Sequence, residues 1–192
     1  MATDNFVFLK RNVVEAAPQL LGCLLVRELD GQRLVGRIVE TEAYDQLDAA
    51  SHSSRGQTPR TDVMFGPAGH AYVYFTYGMH YCMNVVTGPV GYGSAVLIRA
   101  LEPVEGLEIM RAHRRGIKPD TQLTNGPARL CQALKIDKAS NGHDFHKAPL
   151  QLQILPPLAQ TEVVQTTRIG ISRDTHRPWR FYIKDNPFVS RI

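Results

Sequence analysis

The chain has 192 residues, 43% hydrophobic and 21% charged, and 22 Lys+Arg against 18 Asp+Glu leave a formal charge of +4. That balance excludes intrinsic disorder, and the length suits one domain (1–192), since a chain of this size buries roughly 70% of its unfolded surface. Cys23, Cys82 and Cys131 form no paired motif, which argues against a disulfide framework or a zinc ribbon. No basic-then-apolar leader opens the chain and no apolar run could span a bilayer, so a soluble, cytoplasmic protein with no membrane partner is expected.

Charge is uneven along the chain. Residues 1–96 carry 7 basic and 9 acidic side chains, and residues 97–192 carry 15 and 9. A basic half beside a mildly acidic one suits a polyanion held on one face, nucleic acid among them.

In chain order, residues 12–21 read as a short helix with Asn12 as its N-cap and Gly22 as its stop. Two β-rich runs, 23–29 and 34–44, flank Asp30-Gly31, a hairpin signal. Residues 45–69 form a long polar, Gly/Pro-punctuated segment of the kind that usually carries function. Strands follow at 70–76 and 81–87 around the turn Tyr77-Gly78, and at 94–101. Helices are expected over 104–115 and 127–135, and short strands near 150–155, 165–171 and 180–183. This order predicts an α+β fold on an antiparallel or mixed sheet.

Two segments invite chemistry. Residues 72–81 hold Tyr72, Tyr74, Phe75, Tyr77 and Tyr81. Strand alternation puts Tyr72 and Tyr74 on one face and Val73 and Phe75 on the other, the second reading as core. The tyrosine face is either a half-buried strand or a stacking platform with a wedge at the turn. In RIVETEAY (37–44), Ile38, Glu40, Glu42 and Tyr44 fall on one face. Carboxylates that approach from one side do not flank a sugar as a two-carboxylate glycosidase requires. One working carboxylate and one structural partner fits better, and ion pairing of both with arginines on an exposed sheet face is the alternative. His143 and His146 have a metal-compatible spacing, but no further ligand pattern completes a site, so no metal or other cofactor is expected. Asn125-Gly126-Pro127 reads as a helix start, Trp179 as packing and Cys82 as a buried hydrophobe.

These motifs, with QTPR (57–60), YVYFTYGMHYCMN (72–84), LIRALEPVEGLE (97–108), NGPARLCQAL (125–134), RFYI (180–183) and NPFVS (186–190), lie in matching order from about Leu20 to Ser190. Together they resemble the 3-methyladenine (alkyladenine, methylpurine) DNA glycosylases of the eukaryotic type, which also occur in bacteria. The resemblance implies a single domain with a curved sheet, surrounding helices and a protruding β-hairpin. It implies base-excision repair: a damaged purine is flipped from double-stranded DNA and its N-glycosidic bond is hydrolysed, leaving an abasic site.

Carried over residue by residue, Glu42 activates the water at the floor of the cleft and Arg99 helps to position both. Tyr44 stacks on one face of the base, His52 and Tyr74 on the other, and Asn84 crowds the 2-amino group of guanine. Tyr77 intercalates, while Arg60, Met79 and Arg129 contact the DNA backbone. No lysine nucleophile is implied, and a monomer suffices. The chain departs from the pattern in a loop at 52–60 that is one residue shorter, with Ser54-Arg55-Gly56 in place of a more basic stretch, and in His80 beside the wedge. A catalytically silent nucleic-acid-binding module and a small-molecule nucleoside or sugar hydrolase are the competing readings.

Overall fold

A computed structural model describes residues 5–190 of the chain. Eight strands, β1 (Leu24–Leu29), β2 (Gln32–Asp45), β3 (Ala71–Thr76), β4 (His80–Val86), β5 (Ser94–Glu105), β6 (Leu150–Gln153), β7 (Val163–Thr166) and β8 (Arg180–Ile183), join in one sheet. Every pairing is antiparallel. The order is β3–β4–β5–β2–β1–β6, and β8 pairs with both β7 and β2.

Strand β2 organises the molecule. One edge runs along β5, whereas the other pairs with β1 through Arg37 and then with β8 from Glu40 to Glu42. Where the partner changes, the β2–β5 register slips, Ile38 lying opposite Leu101 and Glu40 opposite Ala100. Such a bulge bends the strand and re-aims the side chains beyond it. Ile38 and Val39 therefore both enter the core. Unbroken alternation would have placed Ile38 with the glutamates instead.

Helix α1 (Val13–Gln19) starts as predicted, Asn12 Oδ1 accepting from the Val14 N–H at 2.8 Å. Its Ala16 and Ala17 pack into the main core with Leu25, Val96, Ile98 and Leu101. Helix α2 (Leu107–His113) begins later than the expected 104, because Val104 and Glu105 extend β5. Gly106, at φ 79°, makes the break. Helix α3 (Pro127–Ala133) opens with its proline in the first turn, where the missing N–H costs nothing.

Two further expectations fail for physical reasons. Strand β7 stops at Thr166, and residues 167–171 leave the sheet, Gly170 standing at φ 76°. Phe75 is 50% exposed rather than core. Strand β3 is an edge strand, and Asn141 and His143 cover it only as far as Val73. Beyond that point the β3–β4 hairpin projects, with the Phe75 and Tyr81 rings 5.2 Å apart. Among the described residues no helix is long and apolar enough to cross a membrane.

Candidate active site

At the root of this hairpin lies a cavity of about 340 Å³. Adjacent strands supply its walls: Tyr44 from β2, Tyr72 and Tyr74 from β3, Asn84 from β4 and Arg99 from β5. His52 comes from the 3₁₀ turn His52–Arg55, and Tyr77 reaches the lining from the hairpin turn. Six of the predicted site residues, Tyr44, His52, Tyr74, Tyr77, Asn84 and Arg99, thus meet at one place, with Tyr72 beside them.

Glu42 does not line the cavity, and it is fully buried. This differs from a carboxylate open to water at the cleft floor. Three donors seal it: the Tyr44 hydroxyl to Oε2 at 2.8 Å, Arg99 Nη1 to Oε2 at 3.2 Å and the Ile169 N–H to Oε1 at 2.8 Å. All three belong to residues that do line the cavity, so Glu42 sits one side chain behind the wall. Glu40, also fully buried, accepts from Arg180 Nε at 2.6 Å and from the Ser190 N–H at 2.8 Å. Both glutamates do pair with arginines, but in the interior and not on an exposed face. Burial alone would weaken the Arg99 charge; Glu42 and Glu40 outweigh it and raise the Arg99 pKa.

The ring wall is also braced from behind. The Arg168 guanidinium lies 4.7 Å from the Tyr44 ring centroid and 5.2 Å from that of Trp179. Both its terminal nitrogens reach the buried carboxylate of Asp48, Nη2 at 3.0 Å. Trp179 is packing, as expected, and is also half of a cation–π stack. Burial and the neighbouring Glu42 push the Tyr44 phenol far above its ordinary pKa, so it stays a donor.

His52 stands edge-on to Tyr74, ring centroids 4.5 Å apart, with Nδ1 at 3.0 Å from the Tyr72 hydroxyl. Burial, then the charge of Arg60, lowers its pKa and keeps the imidazole neutral near pH 7. Asn84 is pinned by its Nδ2 donating to the Tyr72 carbonyl at 3.0 Å. Cys82 lines the cavity as well as being buried, and burial raises its pKa, so it remains a thiol.

Gly93 seats the His52 turn: a Cβ there would come within 2.6 Å of Phe65 and 2.8 Å of Ser53. Ser53 Oγ donates to its carbonyl at 2.8 Å.

The remaining predicted residues lie around the mouth. Met79 is 70% exposed on the hairpin. Arg60 sits 5.7 Å over the Tyr74 ring and, with Arg55 and Arg173, lines an adjoining groove of about 480 Å³. Arg129 is exposed and donates to Asn125 Oδ1 at 2.6 Å, beside the cavity-lining Pro127. His143 Nε2 donates to the Lys147 and Leu150 carbonyls, and His146 pairs with Asp144.

Sequence reasoning missed Tyr72 as a pocket member, the 168–171 segment and Ser190. Gly170 inside an apparent strand was the one available signal, since an isolated glycine there marks a break or a close approach.

A sequence model of the methylpurine-DNA glycosylase (MPG) family matches residues 7–187. A protein of Carboxydothermus hydrogenoformans is 54% identical over 96% of each chain, and one of Methanoculleus marisnigri 52% over 96% of each. A Francisella tularensis protein is 48% identical over 95% of this chain and 96% of its own. All three bear the name "Putative 3-methyladenine DNA glycosylase". The chain belongs to the methylpurine-DNA glycosylase family and is a DNA glycosylase, an N-glycosyl hydrolase of base-excision repair.

Proposed function

We propose that the chain is a monofunctional glycosylase that takes a single damaged purine from duplex DNA into the ring-lined cavity. Tyr77 fills the space vacated in the helix, Tyr44 stacks on one face of the purine and His52 and Tyr74 on the other. Asn84 crowds the 2-amino group of guanine. Water loses a proton to Glu42 as its oxygen bonds to C1′, and the C1′–N bond breaks with its electron pair leaving on the purine. An alkylated, cationic purine leaves neutral, so one base for the water suffices. A neutral lesion also takes up a proton. Extrusion costs a few kcal/mol and least for damaged pairs, a first source of selection.

The observation that carries this reading is that Tyr44, Arg99 and Ile169, the three donors to Glu42, all face the space a flipped base would occupy. A base entering that space displaces the Tyr44 or Ile169 contact and admits water to the carboxylate. The DNA partner is supported by charge pairing. Arg33, Arg37, Arg111 and Arg177 have carboxylate partners, whereas among the described residues Arg55, Arg60 and Arg173, beside the cavity, have none. The backbone of the flipped strand runs past these arginines, Arg129 and Met79. A cytoplasmic monomer meets every requirement of the reaction.

The test is a duplex carrying one hypoxanthine, 3-methyladenine or ethenoadenine, with alkaline cleavage of the abasic product. Glu42→Gln is expected to cut at least about 10²-fold more slowly, the scale of lost general-base catalysis, with duplex affinity retained. A variant that cuts at the wild-type rate removes Glu42 from the mechanism.

A further inference from the structure

An arginine and a carboxylate left to themselves meet fork to fork, with two parallel hydrogen bonds. Arg99 does not meet Glu42 that way. Only Nη1 touches it, at 3.2 Å, while Nε stands 3.3 Å from Glu40 Oε1 and Nη2 lies 3.4 Å from Ser190 Oγ. The Nε contact is an ion pair without a directed hydrogen bond, so Glu40 holds this edge of the guanidinium by charge. Ser190 Oγ in turn donates to Glu40 Oε1 at 3.0 Å.

The second nearby arginine is drawn off in the same way. Arg180 lies opposite Glu42 in the β2–β8 register, yet its Nε donates to Glu40. Among the described residues the buried ion pairs are thus divided unequally, Glu40 pairing with both Arg99 and Arg180 and Glu42 with Arg99 alone.

From this we propose that Glu40 and Ser190 are positioning residues: they restrict Arg99 to a single contact with Glu42 and so leave that carboxylate capacity for a water proton. The inference rests on Glu42 being the base. Without Glu40 the guanidinium swings into the bidentate pairing that geometry and charge favour, and Glu42 is covered. Arg180 needs Glu40 as a structural partner; Arg99, in the cavity wall, needs it in order to stay off Glu42.

The experiment measures single-turnover excision of hypoxanthine from duplex DNA at saturating enzyme, beside affinity for a duplex with a stable abasic analogue. Folding of each variant is checked by thermal melt. Glu40→Gln is expected to slow the chemical step about 10- to 100-fold, the scale of misplacing a catalytic group, at unchanged affinity. Ser190→Ala slows it about fivefold, the size of one hydrogen bond, and Ser190→Thr, which keeps the hydroxyl, stays within about twofold of wild type.

Folded Glu40→Gln and Ser190→Ala proteins that cut at the wild-type rate overturn the inference, as does a Ser190→Thr protein as slow as Ser190→Ala. If Glu40→Gln does not fold, the Ser190 pair decides. With a cutting wild type, a dead Glu42→Gln and full-speed Glu40 and Ser190 variants, only the positioning role fails. A wild-type chain that leaves the duplex intact overturns the functional reading and this inference together.

Discussion

Two hairpins in this molecule open their turns on the same pair of left-handed residues, with different side chains. β1 passes to β2 through a two-residue loop, Asp30 and Gly31 at φ 51° and 74°, and β3 passes to β4 through a three-residue loop, Tyr77 and Gly78 at φ 51° and 68° followed by Met79. Two consecutive positive φ values are the signature of the tight turn that matches strand twist, and Asp-Gly is among its preferred sequences. Tyrosine is not. An aromatic residue in the left-handed region costs on the order of 1 kcal/mol, and Tyr77, 85% exposed, recovers nothing by burial. The first turn optimises the fold. The second carries strain at a residue that lines the cavity, and the sequence pair Tyr-Gly beside Asp-Gly records that difference.

Substitutions that exchange these roles break or sharpen the contrast. Tyr77→Asn suits the turn and removes the wedge. It is expected to lower affinity for a duplex with a stable abasic site by about 1–3 kcal/mol, the worth of one stacked base, as read by titration. The same protein should melt higher, by up to about 1 kcal/mol of released strain. A variant weakened in both respects would mean that Tyr77 supports the hairpin structurally.

The reciprocal change, Asp30→Tyr, is expected to cost about 1 kcal/mol of stability in denaturant unfolding while excision stays at the wild-type rate. A loss of excision there would tie the β1–β2 turn to the site. The smallest effect belongs to Arg33→Ala, next to that turn. Its pair with Glu105 is half-exposed on both sides, and such pairs contribute about 0–1 kcal/mol, less in high salt. A larger loss that persists in 1 M salt would show that this hairpin carries more than its turn.

What could be read from the chain divides along the same line. Exposed or alternating features were legible: the Asn12 cap, both turns, the aromatic hairpin and the shared face of Glu40, Glu42 and Tyr44. These depend on local rules such as capping, positive φ and strand period. Contacts that depend on distant segments were not. The bulge at Val39 lets β2 bury two consecutive apolar residues, which a period of two cannot announce. Arg168 looked like one more basic residue of the C-terminal half, yet it is buried against Asp48, 120 positions earlier. Ser190 closes on Glu40 across 150 positions. The sealing of Glu42 depends on where residues 167–171 run after β7 ends, and within that stretch only Gly170 hinted at a departure from strand.

The projecting hairpin has a consequence for handling the free protein. Phe75, Tyr77 and Met79, at 50%, 85% and 70% exposure, gather at the uncovered end of an edge strand, which is an adhesive combination. Copies are kept apart by the surplus of positive charge, whose reach shrinks to about 3 Å in 1 M salt. Concentrated stocks are therefore expected to clump as the ionic strength rises, which light scattering reads directly.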